Sequence, residues 1–324
     1  MRILLWHVHG SWTTAFVHGR HDYVLPLLPD RGPDGRGRAR TWDWPRTVSE
    51  GTPAELRGMD LDLVLLQRPH EAGLCEEWTG RRPGRDVPAI YVEHNTPGGQ
   101  VPFTRHPMAD QREVPVVHVT HFNQLFWDTG GAPTHVIEHG IVDPGPLYSG
   151  ELPHAAVVVN DPVRRGRAVG TDLLPALSEA APLDVFGMNV EGLAGRIGVP
   201  PQRLRSFEDL PHARLHREMA RRRVYVHTPR WTSLGLSLLE AMHLGMPVLG
   251  LATTEVVRAV PREAGVVSTR VDDVTAALRR LVHDPAEARA VGGRAREVAL
   301  SRYGLGRFLR DWDARLEASV SRAA

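Results

Sequence analysis

Short apolar runs bounded by turn formers recur along the chain, at residues 3–8, 61–66, 87–92, 114–119 and 135–138. They recur again at 155–159, 183–186, 224–227, 247–251 and 265–268. Most are rich in valine, isoleucine and leucine and alternate little, which predicts strands buried on both faces of a parallel sheet. Between them the apolar positions take helical spacing, at 122–127, 171–180, 212–222, 236–244 and 274–282, with a last amphipathic stretch over 305–320. Strands alternating with helices predict βαβ units and an α/β fold.

The alternation pauses once, near the middle, where Pro144, Gly145, Pro146, Gly150 and Pro153 cluster without periodicity. That reads as a linker. Two α/β domains are therefore expected, residues 1–145 and 146–303, followed by a terminal helix over 304–324. A length of 324 residues suits two domains with cores of their own. Residues 30–40, rich in Arg, Gly and Pro, read as a loop. So do the polar residues 96–112, a stretch long enough for function or disorder. Residues 12–20 carry aromatic and β-branched side chains and read as an irregular or extended piece.

Composition narrows the function. Hydrophobic residues make up 42% and charged residues 24%, an ordinary globular balance. Lys+Arg is 39 against 38 acids, which argues against a general polyanion binder. All 39 basic residues are arginine, so any cation that binds phosphate is a planar guanidinium fork. One cysteine, Cys75, rules out a disulfide framework and a cysteine-rich zinc site and suits the cytosol. The apolar stretch at the N-terminus is too short for a signal peptide, and no run approaches the roughly 18 residues of a membrane span. A cytoplasmic protein without a transmembrane segment is expected.

The most informative stretch is Thr228-Pro229-Arg230-Trp231-Thr232-Ser233-Leu234-Gly235-Leu236-Ser237-Leu238-Leu239-Glu240-Ala241-Met242-His243-Leu244-Gly245-Met246-Pro247-Val248. A strand ends at 227, a short loop reaches Gly235, and a helix runs to Gly245 before Pro247. Such a turn aims backbone N–H groups and a positive helix end at one point, which favours an anion such as a diphosphate. Ser237, Glu240 and His243 form a polar stripe on this apolar helix. Spacing alone makes it a solvated face, or a face turned to a cleft where Glu240 accepts from ribose hydroxyls.

This segment resembles the signature of the retaining, family 4 ("group 1") GT-B glycosyltransferases, Glu-x7-Glu within EGFGLxxxEAMAxGxPV. Gly235, Leu236, Glu240, Ala241, Met242, Gly245, Pro247 and Val248 fall in register. Glu240 matches the second glutamate, which in that family holds the nucleotide ribose. Thr232 stands at the first, which contacts donor-sugar hydroxyls, and Ser233 and Leu234 fill the loop between Thr232 and Gly235. The resemblance extends to Thr134–Asp143, which is similar to the family's VIPNGVD element with His139 at its asparagine. It extends also to Tyr91-Val92-Glu93-His94, the strand end that carries an active-site histidine, here His94. Residues 157–174 resemble the strand–GR–loop–KG–helix element. Asn160 follows the strand, Arg164 takes the arginine place, and Val169 falls at the lysine, which leaves Arg165 or Arg167 to compensate. The turn His9-Gly10-Ser11 is similar to the N-domain glycine loop.

The resemblance implies a GT-B architecture, two Rossmann-like domains facing each other across a cleft. The first would serve the acceptor and the second the nucleotide-sugar donor, with the terminal helix crossing back to the first. It implies metal-independent transfer of a sugar to an acceptor hydroxyl with retention. His94 and Arg164 would be catalytic, and Gly10, Asn160, Arg164, Arg167, Thr232, Ser233, Leu234, Gly235 and Glu240 would bind the donor. No cofactor is expected. The partners are a nucleotide sugar and an unidentified small-molecule or glycan acceptor, not nucleic acid. Rival readings are a non-catalytic nucleotide-sugar-binding subunit and another GT-B activity such as a nucleotide-sugar epimerase. The pairs His7/His9 and His118/His121 lack an acidic partner at a metal-site spacing, so no metal is expected. Arg105, His106 and Asp110 in the long loop read either as acceptor contacts or as exposed side chains. Trp42 and Trp44 are candidates to stack on a sugar or on nucleic acid, and without a clear basic surface nucleic acid is not chosen.

Overall fold

The computed structural model describes residues 1–321. The chain divides into two compact units, one of Met1–Val142 with the segment from Leu305 on, the other of Asp143–Gly304. Each is built on a wholly parallel sheet.

In the first unit the order is β1 (Arg2–Leu5), α1 (Gly10–Phe16), β2 (Asp22–Pro26), β3 (Val48–Gly51), α2 (Pro53–Arg57), β4 (Leu63–Leu66), α3 (Glu71–Thr79), β5 (Ala89–Glu93), β6 (Val116–His118), α4 (His121–Phe126) and β7 (Thr134–Val136). The strands lie in the order β3-β2-β1-β4-β5-β6-β7. The second unit has β8 (Leu152–Val158), α5 (Pro162–Arg165), α6 (Leu174–Ala180), β9 (Leu183–Gly187), α7 (Leu193–Arg196), β10 (Leu204–Glu208), α8 (His212–Arg221) and β11 (Arg222–His227). It continues with α9 (Leu236–Leu244), β12 (Val248–Leu251), α10 (Val256–Ala259), β13 (Gly265–Ser268), α11 (Val271–His283) and α12 (Pro285–Tyr303). Its sheet runs β10-β9-β8-β11-β12-β13. Helix α13 (Leu305–Ser321) belongs to the first unit.

Each predicted strand run forms a strand. The central ones, Leu63–Leu66 and Val248–Leu251 among them, are buried throughout, as runs without alternation require. Strands β3 and β10 escape the apolar pattern because each is an edge strand, where outward positions stay polar. Helix ends follow local chemistry. Thr52 and Glu55 make a capping box before α2, and Asp284 caps α12 with Pro285 at its first position.

Residues 12–20 differ from expectation. Gly10–Phe16 is a helix, not an extended piece, and its aromatic content is a packing surface. Trp12 stacks on Phe16 at 5.0 Å between ring centroids, and both meet Trp312 of α13 edge-on, at 5.7 and 5.1 Å. Tertiary burial of those rings outweighs their weak helix propensity. Residues 30–40 are irregular, as read. Residues 96–112 hold one 3₁₀ turn, Val101–Phe103, and are pinned: His106 Nε2 bonds Glu93 Oε2 at 2.9 Å and the His106 amide donates to the Asp128 carbonyl at 2.8 Å.

Candidate functional site

In the second unit β8 and β11 are neighbours, and the sheet grows outward from them in opposite directions. Ligands of open parallel sheets bind beyond the carboxyl ends of strands at such a switch point. The two loops that leave these strands carry the residues singled out from sequence, and they are stitched together. Thr228 Oγ1 donates to the Val169 carbonyl at 2.7 Å, and the amides of Arg230 and Trp231 donate to that of Ala168 at 2.9 and 3.2 Å. Gly170 sits where they cross. Its φ of +77° is left-handed, and a Cβ there would collide with the Thr228 carbonyl, so both backbone shape and space call for glycine.

This loop pair presents four guanidinium groups. Arg164 Nη2 pairs with Asp161 Oδ2 at 2.7 Å and Arg167 Nη1 with Asp172 Oδ2 at 3.0 Å, and their side chains are 73% and 76% exposed. Arg230, not singled out from sequence, grips Asp172 through both Nη atoms at 2.6 and 2.9 Å. Arg165 is also exposed. Asn160 Oδ1 accepts from the Met188 amide at 2.9 Å, so Asn160 shapes the loop after β8. Exposed arginines held only by partly exposed carboxylates can turn to a diphosphate.

Ser233 and Leu234 are buried and Thr232 is half-buried. Gly235 precedes α9 with an ordinary φ of −69°. It is glycine for space: a Cβ would run into Cε1 of His227, whose ring stands at the end of β11. His227 is buried, its Nε2 has no hydrogen-bond partner, and burial lowers its pKa to about 4. Its place at a strand end was visible in sequence.

The polar stripe on α9 is not solvated. Ser237 Oγ meets Tyr225 Oη at 2.9 Å, and His243 Nδ1 bonds the Leu239 carbonyl at 2.8 Å. Glu240, 4% exposed, faces α8, where His212 Nε2 lies 3.1 Å from Oε1 and His216 Nε2 lies 3.4 Å from Oε2. Burial works to raise the Glu240 carboxyl, but the two imidazoles outweigh it and hold the group far below the usual carboxylate range. Among the described residues, His212, His216 and Glu240 are the one group of three placed to share a metal ion. The histidine pairs weighed from sequence are not part of it.

In the first unit His94 follows β5 and His9 follows β1, with ring centroids 4.1 Å apart. Trp12 meets His94 edge-on at 4.9 Å. Gln67, just past β4, fixes the His94 ring. Its Nε2 donates to the Trp6 carbonyl at 2.7 Å, so its Oε1 is left to accept from His94 Nε2 at 3.0 Å. That assigns the proton to Nε2 and leaves Nδ1 as an acceptor. Burial, then the repulsion its proton would meet from one on His9 or His139, pushes His94 well below the ordinary histidine value, and burial brings His139 to about 3 and His9 to about 4. The cluster is therefore neutral at pH 7. Gln67 carried no motif and was missed. Gly10 opens α1 against the Trp42 ring, while Trp44 is buried with Nε1 on Thr14 Oγ1 at 2.8 Å. Arg105 and Asp110 pair with each other within the loop, and His106 is buried on Glu93 at the end of β5.

Residues 202–298, less than a third of the chain, match the family described as "Glycosyl transferases group 1". No curated protein sequence matches. Among solved structures the chain is similar to the sucrose-phosphate synthase of Thermosynechococcus elongatus (TM-score 0.75, 14% identity, all of both chains covered). It is similar also to HepE of Anabaena in complex with UDP (0.68, 12%, 98% of this chain and 100% of that one). A third is the glycosyltransferase of Rickettsia africae ESF-5 (0.66, 11%, 98% of each). At these identities the likeness is one of fold: two parallel-sheet α/β domains, the GT-B fold.

Proposed function

We propose that this chain is a glycosyltransferase that moves a sugar from a nucleotide donor to an acceptor hydroxyl with retention of configuration and without a metal. The observation that carries the reading is the match of residues 202–298 to the group 1 model. It contains the loop after β11 and a buried, ionised glutamate, Glu240, on the following helix. UDP and UDP-glucose are bound by Anabaena HepE, which favours a uridine donor as the first to try.

In this reading Glu240 accepts from the ribose hydroxyls, while Arg164, with Arg167 and the backbone near Gly235, receives the diphosphate. Thr232 and Ser233 meet the donor sugar with neutral hydrogen bonds, and the first unit, which carries His94, serves the acceptor. The acceptor oxygen forms its bond to the anomeric carbon on the face from which the diphosphate departs. As the bond to the diphosphate breaks, the acceptor proton passes to the departing phosphate oxygen. Charge growing on that phosphate is met by the guanidinium groups that turn to it and by the backbone amide donors near Gly235. No separate carboxylate base is required, which accords with Thr232 at the place of a glutamate. Cys75, free and buried, suits a reducing cytoplasmic setting.

The test is a screen of UDP, GDP, ADP and TDP sugars by calorimetry, followed by acceptor trials with the product's anomeric configuration read by NMR. Binding of one nucleotide sugar and an acceptor-dependent product with retained configuration are expected. Binding of none of them, or donor loss indifferent to acceptor, overturns the proposal.

A further inference from the structure

His212 and His216 are four residues apart on α8, so both rings leave the same face of the helix and stand 3.9 Å apart between centroids. Both turn Nε2 toward one carboxylate, that of Glu240 on α9. A hydrogen bond between His212 Nε2 and Oε1 accounts for one of these imidazoles. The other stands in a closed site, where His216 and Glu240 are each 4% exposed. The second ring has its own signature. His216 Nε2 is buried 3.4 Å from Oε2 yet makes no hydrogen bond.

Metal geometry fits these distances. A tetrahedral ion with nitrogen and oxygen ligands at about 2.0–2.2 Å separates its donors by roughly 3.3 Å. The two nitrogen–oxygen separations, to Oε1 and Oε2 of the one carboxylate, are 3.1 and 3.4 Å, and the three residues offer donor atoms within 4.8 Å of one another. Two imidazoles and a carboxylate are a donor set that suits zinc and its divalent neighbours, not magnesium or calcium. His212 is the half-buried member, with 24% of its side chain exposed, and gives the ion a way in.

We propose that His212, His216 and Glu240 form a binding site for a divalent transition-metal ion of the zinc class. The site has an inhibitory consequence, which rests on the proposed role of Glu240. A carboxylate that ligates zinc is not free to accept from a ribose, so the ion and the nucleotide exclude each other.

The test uses the full chain and Zn2+ alone, titrated by calorimetry after treatment with a chelator. Wild type is expected to take up one Zn2+ that His212→Gln and His216→Gln each weaken at least tenfold. Co2+ should give the visible absorption of a four-coordinate ion in wild type and not in His216→Gln. Circular-dichroism melts confirm that the variants are folded. His212→Gln, on the half-buried rim, keeps the test decisive should His216→Gln not fold. Absence of Zn2+ uptake by wild type, or uptake unchanged in the variants, overturns the site. UDP titrated with and without Zn2+ separates the two readings. Weaker UDP binding with Zn2+ in wild type, lost in His212→Gln, is expected. Zn2+ uptake at these residues that leaves UDP binding unchanged overturns the competition and the ribose role of Glu240, while the metal site stands.

Discussion

Thr228 Oγ1 donates to the carbonyl of Val169 at 2.7 Å, which joins the loop after β11 to the loop after β8 beside Gly170. A side chain at Gly170 has to be held in the left-handed region and would press on the Thr228 carbonyl. Gly170→Ala is expected to cost about 1–3 kcal/mol of stability, read from urea unfolding. It should weaken UDP binding as well, because the guanidinium groups stand on the loop that shifts.

Arg164 and Glu240 are assigned to different parts of one ligand, so their variants should fail differently. Arg164→Ala is expected to weaken UDP roughly tenfold or more and leave uridine binding unchanged, as loss of a charge-assisted hydrogen bond to phosphate would. Glu240→Gln should weaken UDP and uridine by a similar factor. Calorimetry with both ligands decides, and an equal loss of both ligands in Arg164→Ala removes Arg164 from the phosphate.

How much of this was readable beforehand depended on whether a side chain's partner lay close in sequence. Gly235, Glu240 and Gly245 sit on one strand–loop–helix unit whose local chemistry spells out its own geometry. Arg230 and Gln67 were missed because their partners, Asp172 and Trp6, are 58 and 61 residues away. The polar stripe of α9 misled in the same way. Periodicity shows that three polar residues share a face, but not that Tyr225 meets Ser237 and two histidines of α8 meet Glu240. The helix at Gly10–Phe16 was lost because its stabilising surface, α13, lies almost 300 residues on.

Mild acid is expected to destabilise the protein. Burial lowers His227 to about 4 and His118 and His139 to about 3. Folded, these rings stay neutral; unfolded, they take up a proton near pH 6.5. Their contribution is complete above pH 6.5 and declines as pH falls toward 4, by up to about 1.4 kcal/mol per pH unit for each ring. Urea unfolding at pH 7, 6 and 5 measures the slope. Replacing His139 with Asn should flatten it, and a slope unchanged by that substitution would show His139 to be protonated in the folded state.

Asp184 is completely buried, yet ionised. Burial alone would raise its carboxyl, but bonds from Arg205 at 2.8 Å, His154 at 3.1 Å and buried Arg222 at 2.7 Å lower it overall. Asp184→Ala leaves the Arg222 guanidinium buried beside an empty place. A loss of about 3–5 kcal/mol at pH 7 is expected from chemical denaturation. A loss under 1 kcal/mol would show that Glu218, 2.6 Å from Arg222 Nη1, is partner enough for the buried guanidinium.

Helix α13 supplies Phe308 and Trp312 to a core whose other walls are Trp12 and Phe16, and Asp313 bonds His21 at 3.0 Å. The segment that seals the first unit is thus made after the whole second unit has been translated. The amino-terminal half leaves the ribosome with a bare aromatic flank and waits through some 160 residues for its cover. The second unit can close on its own contiguous chain, so the order of synthesis is the reverse of the order of completion.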